Sequence, residues 1–137
     1  MKKRVIAAAL LSAMVLTGCG SKGFTGEKTG EVDSQGNKTI ATVQFEEGTP
    51  VSVNIDVIQA DGSSKVEASE SGAYDMKNEP GKKWHEQVDL LEEAIVANNF
   101  ELDKLNVTEG KTDAVSGVSI SVSEFLEATQ AALDQAK

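Results

Sequence analysis

Val51-Ser52-Val53-Asn54-Ile55-Asp56-Val57-Ile58 alternates apolar and polar side chains until its last residue. Successive side chains of a strand point to opposite faces, so Val51, Val53, Ile55 and Val57 share a buried face while Ser52, Asn54 and Asp56 stay wet. A strand with one dry face belongs to an antiparallel sheet covered on one side. Upstream, Glu46-Glu47-Gly48-Thr49-Pro50 reads as a hairpin loop, with Pro50 opening the following strand. The partner is Thr39 to Phe45, with Ala41, Val43 and Phe45 on one face. Asp33-Ser34-Gln35-Gly36-Asn37 is a turn by composition, and Phe24 to Val32 a ragged first strand.

Downstream, Asp61 to Glu79 has no periodicity, and Val66, Tyr74 and Met76 are its only larger apolar groups. It reads as a long loop, either a solvated surface segment or a functional one. Trp84, Val88, Leu91 and Ile95 then recur at helical spacing, with Leu90 and Ala94 beside them, which predicts a helix over 82–98. Glu86, Gln87, Asp89, Glu92 and Glu93 take its wet face, and Asn98-Asn99 is a stop. Phe100 to Val107 is a connector or short strand, and Glu109-Gly110-Lys111 a turn. A last helix runs from Val122 to about Ala136, with Phe125, Leu126, Thr129, Ala132 and Leu133 in its stripe. The fold class that follows is α+β, an antiparallel sheet with two amphipathic helices packed on it.

The 137 residues hold one domain and a targeting segment. Met1-Lys2-Lys3-Arg4 is a basic start and Val5 to Leu16 an apolar run of signal-peptide length, too short to span a bilayer. Leu16-Thr17-Gly18-Cys19 resembles a bacterial lipobox, which implies cleavage before Cys19 and a lipid on its sulfur. The expected division is residues 1–18 signal peptide, 19–23 lipidated cysteine and short tether, and 24–137 the domain. The expected location is the extracytoplasmic face of the cell membrane.

As the sole cysteine, Cys19 excludes an intramolecular disulfide and a cysteine metal cluster. Without Lys2, Lys3 and Arg4 the chain keeps 10 basic against 22 acidic side chains, a net charge of −12. That sign argues against nucleic-acid binding and leaves the lipid as the membrane link. His85, the only histidine, lacks the companions a metal site or catalytic triad needs, and reads as a surface residue.

Between the last turn and the last helix lies Thr112-Asp113-Ala114-Val115-Ser116-Gly117-Val118-Ser119-Ile120-Ser121. Ser121-Val122-Ser123-Glu124 has the form of a capping box. A hydroxyl-rich turn feeding a helix start is either a capped helix with a polar lead-in or an anion cradle, and spacing alone favours the former. Ala114, Val115, Val118 and Ile120 are expected to pack beneath.

Asp113-Ala-Val-Ser-Gly-Val-Ser119 resembles the flavinylation motif of the FMN-binding domain family, whose usual form is Asp-x-x-Ser/Thr-Gly-Ala-Thr. Asp113, Ser116 and Gly117 match, Val118 stands in place of Ala, and Ser119 in place of the acceptor Thr. The resemblance implies FMN joined by a flavin transferase through a phosphoester bond at Ser119. It also implies a turn of Asp113, Ser116 and Gly117 that the transferase recognises, and an electron carrier rather than a catalyst of substrate turnover. Trp84 is a stacking candidate for the flavin ring, with membership of the core as the alternative. Tyr74 is a second ring candidate, with an edge-of-core role as its alternative. The expected partners are the membrane, the flavin transferase and a redox partner not named by the sequence.

A second reading keeps the scaffold and drops the covalent flavin, leaving a non-covalent ligand binder or a surface interaction protein. The segment Leu11 to Gly18 also resembles the apolar peptides released from pheromone-precursor lipoproteins, an additional role for the signal peptide.

Overall fold

In the computed structural model the described residues are 23–78 and 81–137. The signal peptide, the lipobox with Cys19, and Pro80 lie outside them. Three strands form an antiparallel meander: β1 (Gly26–Ser34), β2 (Asn37–Glu46) and β3 (Thr49–Ile58). Two-residue turns at Gln35-Gly36 and Glu47-Gly48 join them, tighter than the composition suggested. Gly30 pairs with Ala41 and Ala41 with Ile55, which aligns Ala41, Val43, Val53, Ile55 and Val57 on the dry face. Val51 departs from the alternation and is exposed, beyond a register shift at Gln44/Phe45.

After β3 come α1 (Lys65–Ser71), α2 (Trp84–Ala97) and a 3-10 turn at Leu102–Leu105. A two-stranded ribbon follows, β4 (Val107–Thr108) with β5 (Lys111–Thr112), and then α3 (Ser123–Asp134). The molecule is α+β. Helix α3 lies across β1 and β2, and α2 packs against β3. Their buried side chains, among them Trp84, Val88, Leu91, Ile95, Phe125 and Ala128, meet the sheet's dry face in one core. No described helix is long and apolar enough to cross a membrane.

Gly30 sets how near α3 comes. A Cβ on it would lie 1.9 Å from the Ala128 carbonyl oxygen and 2.7 Å from the Ala132 nitrogen. Only a residue without a side chain lets strand and helix backbones approach so closely.

Four expectations need correction. The stretch 61–79 is not all loop, because Ser64 caps α1 by accepting from the Glu67 amide at 3.2 Å. Asp56, assigned to the wet face, is buried: its carboxylate accepts from the Val57 and Val66 amides at 2.7 and 3.1 Å and from the Ser64 hydroxyl at 2.5 Å. Glu92 is buried too, accepting the Ile55 amide at 2.8 Å on the free edge of β3. Both carboxylates close strand amides that no neighbouring strand reaches. Finally, the capping box at Ser121 does not form. Helix α3 begins two residues later without a side-chain cap, and Glu124 instead accepts from the Thr39 hydroxyl at 3.3 Å.

Candidate functional site

The segment 113–122 is a loop strung between the β4–β5 ribbon and α3. It is held by side chains from α2 and its lead-in. Gln87, fully buried, turns its amide oxygen to the loop and accepts from the Ser119 and Ile120 amides at 2.9 and 3.2 Å and from the Ser119 hydroxyl at 3.3 Å. Its amide nitrogen donates to the Lys82 carbonyl at 3.1 Å and faces the Met76 sulfur at 3.7 Å. Backbone amides can only donate and a carbonyl can only accept, so these neighbours dictate which end of the side chain is oxygen. Asn78 makes the second tie, donating to the Gly117 carbonyl at 2.8 Å while its own oxygen accepts the Lys82 amide at 2.9 Å.

Gly117 has φ +87°, and a Cβ there would stand 3.2 Å from the Leu90 side chain. The motif's glycine is thus required both by conformation and by contact. Val118 and Ile120 are buried, Val115 is half-buried and Ala114 is exposed, so three of the four expected apolar anchors face inward. Asp113, Ser116 and Ser119 are exposed on the outer side. Val118 therefore spends its extra bulk in the core.

Much of the loop's backbone is already committed within the protein. The amides of Asp113, Ala114, Val118, Ser119, Ile120 and Val122 all have acceptors within the protein, from Asn106, Thr112, Val115, Gln87 and Gly110. Residue 119 is itself exposed, with a hydroxyl held only by the long contact to Gln87. Lys111 stands beside it, its ammonium donating to the Ser119 carbonyl.

Next to the loop lies a cavity of about 360 Å³, bounded by the β1–β2 turn and the starts of the three helices. Ile120 and Ser121 carry the loop into its wall, which also includes Tyr74, Met76, Trp84, Lys65 and the Glu124 carboxylate. Trp84 is 3% exposed and packs edge-on against Phe125 at 6.0 Å, a core residue whose ring also borders the cavity. Tyr74 is half-buried. The Lys65 ammonium sits 4.7 Å from the Tyr74 ring centre and 4.8 Å from that of Trp84, a cation held over two aromatic faces. Burial lowers the Lys65 pKa from the ordinary lysine value, against the opposing pull of Glu124.

The cavity thus gathers Trp84 and Tyr74 with the C-terminal end of the motif loop, while Asp113, Ser116, Gly117 and Ser119 do not line it. A wider, shallower depression of about 630 Å³ lies between the 3-10 turn, β4 and α3, and its charged groups are Asp103 and Glu127. Two carboxylates and no aromatic ring suit it poorly to an anionic, planar ligand.

His85 is half-buried, with its Nδ1 2.8 Å from the Ser69 hydroxyl oxygen, which also accepts the His85 amide at 3.1 Å. Ser69 is fully buried, so the pair is a strut between α1 and α2 and not a nucleophile with its base. Among the described residues no group of His, Cys, Asp and Glu could hold a metal ion.

Gln87, Asn78 and Lys65 escaped the sequence reading. Gln87 was placed on a wet face, and the other two sit in or beside the stretch read as featureless. Gln87 is a long polar side chain beside an apolar helical stripe, common enough to carry no information alone, and Asn78 and Lys65 stand in no periodic pattern.

The fold and site define a small α+β protein with one covered antiparallel sheet and a polar loop clamped to its central helix. No protein-family model matches the chain, and no curated protein does. Among solved structures, the solution NMR structure of a Clostridium thermocellum protein matches with 32% identity and a TM-score of 0.56, over 82% of this chain and 92% of that one. This chain belongs to the same family as that protein. The crystal structure of a Clostridium perfringens protein matches at 17% identity, with a TM-score of 0.54, over 83% of this chain and 88% of that one, a likeness of fold.

Proposed function

We infer that this chain is a membrane-anchored, extracytoplasmic flavoprotein that carries electrons, with FMN attached covalently at Ser119 and a lipid on Cys19. The observation that carries this reading is Ser119, an exposed residue of the motif loop whose own amide and that of Ile120 are already taken by Gln87. With both amides taken, the hydroxyl is the group left at this residue for a covalent bond to phosphate. The motif residues Asp113, Ser116 and Gly117 form the rest of the loop that a flavin transferase must recognise.

The residues present fit the group. Ser119 supplies the attachment oxygen and Lys111 a neighbouring positive charge, and the cavity that begins at the next residue, Ile120, offers two aromatic rings with Lys65 and Glu124 in the size range of ligand pockets. FMN, when bound, supplies the redox chemistry, and the protein's part is to hold it and tune it. Val118 does not obstruct the hydroxyl, being buried.

The test is to express the full chain with a flavin transferase and look for flavin fluorescence that survives denaturation. Ser119→Ala is expected to abolish it. A second reading, a non-covalent binder, draws on the Lys65–Tyr74–Trp84 cavity. In that case colour is kept by Ser119→Ala and lost on denaturation. A colourless chain under both conditions sinks both readings.

A further inference from the structure

Resting on that reading of Ser119, we propose that Gln87, outside the motif and 32 positions before Ser119, is the positioning residue that presents the Ser119 hydroxyl for phosphoryl transfer. Three features of the geometry support it. Gln87 is fully buried on α2, a 14-residue helix seated on the core, so its side chain is a rigid reference. Both ends of its amide are engaged, the nitrogen by the Lys82 carbonyl and the oxygen by three donors of the loop, so it has one orientation. Two of those donors are consecutive backbone amides, which pins the peptide groups on either side of the Ser119 Cα and restricts where its side chain can swing.

The chemical consequence concerns the hydroxyl. The hydroxyl lies 3.3 Å from the Gln87 oxygen, a long contact that biases its proton toward Gln87 and leaves the Oγ lone pairs free to accept a bond. A phosphoryl group approaching from outside meets an oxygen already aligned, which is the entropic part of catalysis by orientation. In the transfer step the Ser119 Oγ–P bond forms as the phosphoanhydride bond of an activated flavin nucleotide breaks. The nucleotide monophosphate leaves, and the hydroxyl proton passes to a base of the transferase. An amide oxygen is far too weakly basic to keep that proton, so Gln87 orients and does not act as the base. The same clamp consumes the amides of Ser119 and Ile120, so neither competes with the hydroxyl for the approaching phosphate.

The experiment compares the full chain with Gln87→Met and Gln87→Glu, each co-expressed with a flavin transferase and sampled over time. Methionine keeps length and apolar bulk and removes the acceptor. Glutamate keeps an acceptor oxygen. Folding of each is checked by far-UV circular dichroism, and the flavin load is read as the mass gain of the tryptic peptide 112–137. Amide hydrogen exchange at Ser119 and Ile120, with Val118 as internal control, is measured on the unmodified proteins.

The expected result is flavinylation at least tenfold slower in folded Gln87→Met, substantial recovery in Gln87→Glu, and exchange faster by about a hundredfold at Ser119 and Ile120 only. Equal flavinylation rates in wild type and folded Gln87→Met overturn the positioning role. Unchanged exchange overturns the clamp. A wild-type chain left unmodified, with exchange behaving as expected, overturns the flavin reading and with it the presenting role, while the clamp stands as structure.

Discussion

Replacing Gly30 by Ala is the sharpest test of how this fold is assembled. In an ordinary strand position the substitution favours folding by about 0.4–1 kcal/mol, because alanine has less freedom to lose from the unfolded chain. Gly30 does not have a left-handed φ, so no backbone strain opposes that gain. The contact does. The new Cβ would lie 1.9 Å from the Ala128 oxygen, 2.7 Å from the Ala132 nitrogen and 2.9 Å from the Ala131 Cβ. Two of these are helix backbone, which cannot rotate away as a side chain can.

To restore even a tight 3.0 Å contact, α3 must withdraw by about 1.1 Å from the strand. A gap of that size forfeits a quarter to a half of the dispersion energy of each contact it opens, and α3 buries Phe125, Ala128, Thr129 and Ala132. Overpacking of this kind costs about 1–3 kcal/mol, and the backbone clash puts this case at the upper end. After the unfolded-state gain the net loss is about 2 kcal/mol, or roughly 8 °C in Tm for a domain near 100 residues. Urea unfolding followed by Trp84 fluorescence reports it well, since the indole packs on Phe125 of α3. A Gly30→Ala protein as stable as wild type, or more so, would refute the close approach of α3 to β1.

Other substitutions probe the buried carboxylates and the helix start. Asp56→Ala removes the acceptor for the Val57 and Val66 amides and the Ser64 hydroxyl, and is expected to destabilise by about 2–4 kcal/mol with faster amide exchange through α1. Glu92→Ala orphans the Ile55 amide at a cost of about 1–3 kcal/mol, and Glu92→Gln, which keeps an acceptor, should recover part of it in the same urea assay. Glu86 has a pKa lowered from 4.5, chiefly by accepting the Lys83 amide at 2.7 Å. A depressed acid contributes stability above its unfolded value that is lost as pH falls through the lower folded value. Urea midpoints taken from pH 6 downward should therefore decline below about 4.5 in wild type, and more shallowly in Glu86→Gln.

Lys65 has the same sign of linkage in an alkaline window. Its folded pKa is lowered by burial, so the unfolded chain binds more protons and stability rises as pH climbs toward 10.5. Lys65→Met should flatten that alkaline rise in the same titration. A rise of unchanged slope in the variant would mean that burial of the ammonium is not its source.

Much of the fold was legible because its signals are local. Period-two alternation in Val51 to Val57 and period-3.6 spacing in Trp84 to Ile95 follow from how backbones place successive side chains, and they hold before any partner is known. Glycine and asparagine punctuation located the turns for the same reason. The short helix α1 was missed because seven residues with one large apolar group give no periodicity to read. It exists because Ser64 caps it and Asp56, eight residues earlier, accepts from its hydroxyl and from the first turn.

The candidate site divides along the same line. The motif loop, its glycine and its exposed serines could be located from the order of residues alone, together with the elements on either side. That Asp56, Gln87 and Glu92 face inward was decided by tertiary structure. A buried polar side chain is tolerable only where donors or acceptors converge on it, and for Gln87 and Glu92 these come from segments 32 and 37 residues away. The same holds for the cavity, where the Lys65 cation meets rings from two different segments. The chain's local chemistry determined which elements form; which polar groups lie at their contacts was settled only when the elements met.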